Sequence, residues 1–355
     1  MAPSFVRARV RDMSGYVPGE QPGADERVVK LNTNENPFPP SDRVMQAIAN
    51  VDKETLRRYP SPMADGFRIA AAKHLGITPD MILAGNGSDD ILTIATRCFI
   101  PPGGKLAAPD PTYSLYTILA RLQEASFVPV KWAEDWSLPI DALIATGAHA
   151  IYLANPNAPS GTFVSPVKVA ELARQFPGAL VIDEAYVDFA EDDCLSLVGD
   201  YPNVIISRTL SKAYCLAGLR FGYAIAQPHV IEEMVKVKDS YNCDAMAIIA
   251  ATAAIGDQAY YKEKWEHIRL ERQRLSAELT QMGWNVLPSH ANFVLATVPD
   301  GRGREAYLGL KRQGILVRYF DLPGLTDKLR ITVGLSHQNN ALLAGIKAMA
   351  EPVAA

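Results

Sequence analysis

Residues 204–222 read VIISRTLSKAYCLAGLRFG. Val204, Ile205 and Ile206 have the length and β-branched character of a buried strand, and they lead into hydroxyls at Ser207, Thr209 and Ser211. Lys212, a small-residue turn at Ala217 and Gly218, and Arg220 follow. A lysine at the end of a buried strand, in an apolar and glycine-bearing surround, is poorly hydrated. Its pKa falls, and the amine becomes a nucleophile able to form a Schiff base. The hydroxyls and the planar fork of Arg220 complement an anion held close by, so the group points to a phosphorylated aldehyde. Clusters of Ser, Lys and Arg are more often solvated loops, so this stretch alone leaves both readings open.

The surrounding sequence favours the first reading. Short apolar runs at residues 105–108, 127–130, 150–154, 179–182, 204–206 and 223–226 alternate with helical patterns, one opening at Pro111-Thr112-Tyr113 and another over 166–175. Near-continuous apolar strands alternating with helices predict an α/β domain whose mostly parallel sheet is covered on both faces. Ligands gather beyond the carboxyl ends of such strands, and Asn157, Asp183, Tyr186 and Lys212 all lie just past those ends. At residues 81–92, MILAGNGSDDIL, a strand passes through glycines into a helix starting near Ser88; its free N–H groups make an anion site, although a plain turn capped by Ser88 or Asp89 would read the same.

Residues 1–40, rich in Pro and Gly, read as an extended arm with one short strand at 28–31, followed by helices over 41–50 and 66–75. After Pro228 come helical patterns through Val237, over 245–254 and over 260–282, the last a long amphipathic surface helix. From Gly283 the character changes to strands near 286–287, 292–296, 315–317 and 329–333, with helices over 304–313 and 339–349. The expected division is an arm (1–40) packing with the small domain, a large α/β domain (41–260) and a smaller α+β domain (261–355).

Composition excludes several classes. With 355 residues, 48% hydrophobic and 21% charged, the chain can bury a sizeable core. A net charge of −4 without a basic run argues against nucleic acid or an anionic membrane as partner. Cys98, Cys194, Cys215 and Cys243 are far apart and lack C-x-x-C spacing, so neither a metal site nor a disulfide framework is expected. No basic segment followed by an apolar run opens the chain, which reads as cytoplasmic.

In combination, LNTNENP (31–37), RRYP (57–60), GNGSDD (85–90), PTY (111–113), NPNAPSG (155–161), VIDEAY (181–186), SRTLSKAYCLAGLRFGY (207–223), KVKDSYN (236–242) and LRITVG (329–334) resemble the fold-type I pyridoxal-phosphate aminotransferases, specifically the histidinol-phosphate aminotransferase group. The match spans nearly the whole chain. The resemblance implies pyridoxal 5'-phosphate as cofactor, with Lys212 as the Schiff-base lysine and general acid/base. It pairs Asp183 with the ring nitrogen, directs Asn157 and Tyr186 to the ring oxygen, and stacks Tyr113 on the ring face. Gly87, Ser88, Asp89, Thr209, Ser211 and Arg220 would hold the phosphate. Tyr59 would reach the cofactor phosphate of a neighbouring subunit, which implies a homodimer with shared active sites. Arg330 matches the arginine that takes an α-carboxylate, and Tyr16, Asn34, Arg318 and the region around Asn242 are candidates for the substrate's phosphate.

The activity so implied moves an amino group between L-histidinol phosphate and 2-oxoglutarate, giving L-glutamate, in histidine biosynthesis. Two alternatives share the cofactor: an aromatic amino acid aminotransferase, and a threonine-phosphate decarboxylase of cobalamin synthesis. A transcriptional regulator built on the same fold would need an added DNA-binding domain, for which 355 residues leave no basic helix-turn-helix segment. G-N-G-S-D-D is not the G-x-G-x-x-G of a dinucleotide site.

Overall fold

The computed structural model describes residues 5–16, 19–23 and 27–350. The arm contributes strand β1 (Val29–Lys30). Seven strands then build one sheet: β2 (Ile82–Gly85), β3 (Lys105–Asp110), β4 (Ser126–Lys131), β5 (Ala150–Ala154), β6 (Ala179–Asp183), β7 (Val204–Thr209) and β8 (Gly222–Ile225). Their order is β2-β8-β7-β6-β5-β3-β4, with β8 antiparallel to both neighbours and every other pairing parallel. β5 and β7 are buried at every position, as the uninterrupted apolar runs require of strands covered on both faces. Alternate residues serve two cores: Val204 and Ile206 enter one, Ile205 the other. Burial of each contributes about 1.5–3 kcal/mol.

The antiparallel strand matters most for position. Gly222 pairs with Gly85 of β2 on one side and with Thr209 of β7 on the other. That single row brings the start of the helix Ser88–Phe99 beside the hydroxyls that follow β7. Meanwhile Asp183 pairs with Ala154 and with Ser207, so β5 and β6 end level with one another and β7 runs two residues further, to Thr209. Just beyond that level a buried ion pair ties two of the strands, Arg208 meeting Glu184 at 2.7 Å and Asp193 at 2.9 Å.

Strands β9 (Asn285–Val286), β10 (Phe293–Thr297), β12 (Arg318–Tyr319) and β13 (Lys328–Thr332) form a second, antiparallel sheet in the order β12-β13-β10-β9. Strand β11 (Ile315–Leu316) pairs instead with β1 in parallel, and Thr332 N–H donates to Leu31 O at 3.0 Å. The arm is thereby stitched to the C-terminal unit. Among the described residues, no helix is long and apolar enough to cross a membrane.

Several local expectations shift. The helix expected from Pro111 begins at Leu115 (Leu115–Leu122), because Pro111 O is taken by the side chains of Asn157 and Trp132. The helix after Pro228 ends at Val235, short of Val237. The helix Gln258–Gln281 is less of a surface element than its charge pattern implies, since Tyr261, Trp265, Ile268, Leu275 and Leu279 bury one face of it. Short helices at Lys53–Arg57, Ile140–Ala145 and Leu197–Asp200 carry too few residues to show a periodic signal.

A β-carbon at Gly222 would lie 2.4 Å from Ser88 N, 2.6 Å from Gly87 C and 2.9 Å from Arg208 O, all backbone atoms that cannot swing aside. Gly222→Ala should therefore destabilise the protein by about 1–3 kcal/mol in denaturant titration. An unchanged midpoint would mean that β8 and the helix start are not locked together.

Candidate active site

Lys212 follows β7 and is partly buried, with Nζ 3.3 Å from Thr33 O and 5.9 Å from the centre of the Tyr186 ring. Its backbone is held by the arm: Asn36 Nδ2 donates to Lys212 O at 2.9 Å and lies 3.3 Å from Ala213 O. Burial lowers the ammonium pKa to about 8, with Arg330 reinforcing the effect and Glu35 and Asp89 opposing it. The folded protein thus holds fewer protons here than the unfolded chain between pH 8 and the ordinary value of 10.5, and stability rises with pH across that window. A useful fraction of neutral amine is present near neutrality.

Asp183 ends β6 and is 5% exposed. Oδ2 accepts a hydrogen bond from the Tyr116 hydroxyl at 2.9 Å, while Oδ1 is buried with no partner among the described residues. Burial raises this carboxyl to about 7, against the opposing hydrogen bond from Tyr116. An unpaired buried acceptor of this kind calls for a donor supplied by a ligand, and a cationic N–H suits it best. Tyr186 OH accepts from Asn34 Nδ2 at 2.9 Å, which leaves the phenol proton able to donate. Burial pushes that phenol above its ordinary pKa, so it stays protonated.

The helix start, the hydroxyls and the guanidinium converge as the strand row dictates. Gly87 sits at φ +83° as the N-cap of Ser88–Phe99, and a β-carbon there would lie 2.8 Å from Arg220 Nη2. Only glycine combines that dihedral with so close an approach. Thr209 Oγ1 accepts from Ser211 N–H at 3.1 Å, and Arg220 Nη1 donates to Ser211 Oγ at 3.3 Å. Asp89 lies among them, accepting from Arg220 at 3.3 Å and from the Tyr113 hydroxyl at 3.1 Å. Backbone N–H groups, two hydroxyls and a guanidinium make a cup for a phosphate-sized anion. Asp89 supplies a countercharge to Arg220.

Other candidates join less directly. Asn157 is held by three hydrogen bonds, donating to Pro111 O at 3.2 Å and Ser160 Oγ at 2.8 Å and accepting from Thr112 at 3.2 Å. It reaches a ring oxygen only by releasing one of them. Asn34, at φ +56°, is pinned by Thr332 as well as by Tyr186. Tyr16 is 45% exposed and meets Tyr113 edge-on at 6.1 Å. Arg330 and Arg318 are cross-strand partners on β13 and β12. Arg330 donates to Asn32 O at 3.0 Å, its Nε is buried without a partner among the described residues, and its guanidinium lies 5.5 Å from the Phe320 ring, which Arg318 faces at 5.3 Å. Asn242 donates to Ala84 O at 3.0 Å and Asp90 at 2.9 Å, so it braces the helix start. Tyr59 stands 80% exposed and stacks on Tyr241 at 4.4 Å, apart from all of these groups. Sequence reasoning missed Tyr116 and Asn36. Tyr116 is signalled only by its place one helical turn beyond Tyr113, and Asn36 only as part of the asparagine-rich NTNEN.

The family described as "Aminotransferase class I and II" matches residues 26–346. The chain is 46% identical over 344 residues to histidinol-phosphate aminotransferase 1 of Trichormus variabilis, covering 97% of this chain and 98% of that one. It is 47% identical over 343 residues to the histidinol-phosphate aminotransferase of Rhodopirellula baltica, covering 96% and 94%. Among solved structures, that of histidinol-phosphate aminotransferase from Sinorhizobium meliloti in complex with pyridoxal-5'-phosphate matches with a TM-score of 0.89 at 28% identity, over 98% of this chain and 99% of that one. Strand-end chemistry, topology and relatives of near-equal length converge: the chain belongs to the class I and II aminotransferases and, within them, to the histidinol-phosphate aminotransferase group.

Proposed function

We propose that this chain is a pyridoxal 5'-phosphate-dependent transaminase acting on L-histidinol phosphate and 2-oxoglutarate, giving imidazole acetol phosphate and L-glutamate in histidine biosynthesis. The observation that carries the substrate is the 46–47% identity, over nearly the whole chain, to proteins of that name. The cleft fits the cofactor independently: an unpaired Asp183 Oδ1 for a ring N–H, a lysine of lowered pKa for an aldehyde, and a donor cup for a phosphate. When bound, the cofactor supplies an aldehyde that captures the amine and a protonated ring that draws electrons from the substrate carbon.

The chain's residues divide the remaining work. Lys212, with its amine close to neutral, moves a proton at the substrate carbon as general base and then general acid. Asp183 keeps the ring nitrogen protonated, and Tyr186 and Asn157 donate to the ring oxygen. Tyr113 covers the ring face. Gly87, Ser88, Thr209, Ser211 and Arg220 hold the cofactor phosphate once Asp89 yields its bond to Arg220. Arg330 takes the carboxylate of glutamate, while Arg318 with Tyr16 or Asn34 meets the substrate phosphate.

We also infer three units: an arm (1–40), a large domain (41–260) and a small domain (261–355). The pairing of β1 with β11 supports an arm that packs on the small domain, and the two larger sheets support the other two units. The free cysteines and the biosynthetic reaction suit a reducing, cytoplasmic setting. A homodimer with shared sites would give Tyr59, whose ring is exposed, a partner's cofactor phosphate to reach.

Amino transfer assayed side by side with histidinol phosphate, phenylalanine, tyrosine and threonine phosphate tests the activity. Histidinol phosphate should give the highest kcat/KM, and Arg330→Ala should lower kcat/KM for glutamate by about 10- to 150-fold, the scale of one charge-assisted hydrogen bond. A wide preference for phenylalanine or tyrosine would replace this reading with the aromatic one, and carbon dioxide release from threonine phosphate with the decarboxylase. For the shared site, Lys212→Ala and Tyr59→Phe subunits, each inactive alone, should recover about a quarter of parental activity when co-expressed, because half the dimers carry one intact site of two. No recovery, or a fully active monomer, would end the shared-site proposal.

A further inference from the structure

Tyr116 has no part in the scheme above, yet its setting is unusual for a core aromatic. It lies on the helix Leu115–Leu122, is completely buried, and its hydroxyl reaches Asp183 Oδ2 at 2.9 Å. Two rings clamp it edge-on: Tyr113 at 5.7 Å and 84°, and Tyr152 at 5.2 Å and 88°. Tyr152 does not compete for the carboxylate, since its own hydroxyl is engaged with Thr96 Oγ1 at 2.8 Å and Leu92 O at 3.1 Å. Among the described residues, Asp183 is the one hydrogen-bond partner of the Tyr116 hydroxyl. Phenylalanine would fill nearly the same volume with no polar atom to satisfy, so packing alone does not account for the hydroxyl.

What the hydroxyl does follows from the carboxylate's freedom. The terminal torsion of aspartate is broad and roughly two-fold, so a buried carboxylate with no fixed partner presents either oxygen in a range of directions. Tyr116 engages one oxygen and leaves the other, Oδ1, unpartnered among the described residues. Asp89 and Glu184 are the other charged groups bearing on Asp183, both of like sign. Each is tied elsewhere, Asp89 to Arg220 and Tyr113, Glu184 to Arg208.

We propose that Tyr116 is a positioning residue: its hydroxyl holds Asp183 by Oδ2 so that Oδ1 stays directed at the ring nitrogen of the cofactor. The proposal rests on the pairing of Asp183 with that nitrogen. The edge-on contact of Tyr116 with Tyr113 also sets the residue over the ring face against the residue at the ring nitrogen, so both are aligned by one buried side chain.

The test uses holoprotein of the parent, Tyr116→Phe, Asp183→Asn and the double variant. Two quantities are read: the pH midpoint of the visible band of the lysine-bound cofactor, and the cofactor's dissociation constant. With the ring nitrogen less firmly protonated, the midpoint rises; it should rise most in Asp183→Asn and part of the way in Tyr116→Phe. The dissociation constant of Tyr116→Phe should increase by about tenfold, the scale of one lost hydrogen bond to a charged group. In the Asp183→Asn background, adding Tyr116→Phe should move neither quantity. A Tyr116→Phe protein that titrates and binds like the parent, while Asp183→Asn shifts, overturns the role of Tyr116 and leaves that of Asp183 intact. An Asp183→Asn protein that titrates like the parent removes both. Should Tyr116→Phe fail to fold, a fluorinated tyrosine at position 116 replaces it, nearly isosteric but of altered donor strength. A midpoint identical to the parent's then overturns the proposal.

Discussion

A buried carboxylate with one oxygen left unpartnered is the constraint on which the rest of this molecule depends. Leaving Asp183 ionised and half-satisfied at the end of β6 costs several kcal/mol, and burial raises the carboxyl to about 7. Lys212 shows the mirror image, its ammonium lowered to about 8 by the same scarcity of water. One group is pushed up and the other down, so both titrate near neutrality. Two titratable groups driven toward each other's range suit a site that holds and moves protons. The buried Arg208–Glu184 pair next door supplies the contrast, since its charges meet directly at 2.7 Å and need no ligand.

The sheet explains why these groups share a cleft. Parallel strands β5 and β6 end level and β7 two residues beyond them, which sets Asn157, Asp183 and the hydroxyls at the end of β7 along one edge. The reversal at β8 then inserts Gly222 between Gly85 and Thr209 and draws a helix N-terminus to the same edge. The groups proposed for the ring and those proposed for the phosphate therefore come from different parts of the sheet, one from its parallel run and one from its single antiparallel turn. The arm closes the site from the other side, its Thr33 carbonyl near the Lys212 amine and its Asn36 amide on the Lys212 backbone, while Leu31 is tied to Thr332 of the C-terminal unit.

Much of this was legible in the sequence because the signals are local and chemically loud. Continuous apolar runs such as 150–154 and 204–206 declare buried parallel strands, and residues placed just past them declare a strand-end site. Contacts between distant segments are silent by comparison. Nothing in PTYSLY distinguishes a Tyr116 that fills the core from one that bonds to Asp183 sixty-seven positions away. The region around Asn242 is a candidate for the substrate phosphate, and that Asn242 also bonds to Ala84 and Asp90 is a contact the sequence does not signal. The long helix Gln258–Gln281 looks like a surface element from its charges, and only the packing of Trp265 and its neighbours reveals the buried face.

The role proposed for Asp183 Oδ1 is to keep a ring nitrogen protonated. Nitrogen-15 magnetic resonance of the holoprotein, reconstituted with pyridoxal 5'-phosphate labelled at the ring nitrogen, reads that proton directly. A protonated nitrogen at neutral pH is expected in the parent and an unprotonated one in Asp183→Asn. A parent nitrogen that is unprotonated at neutral pH, with the same shift as in Asp183→Asn, would contradict it.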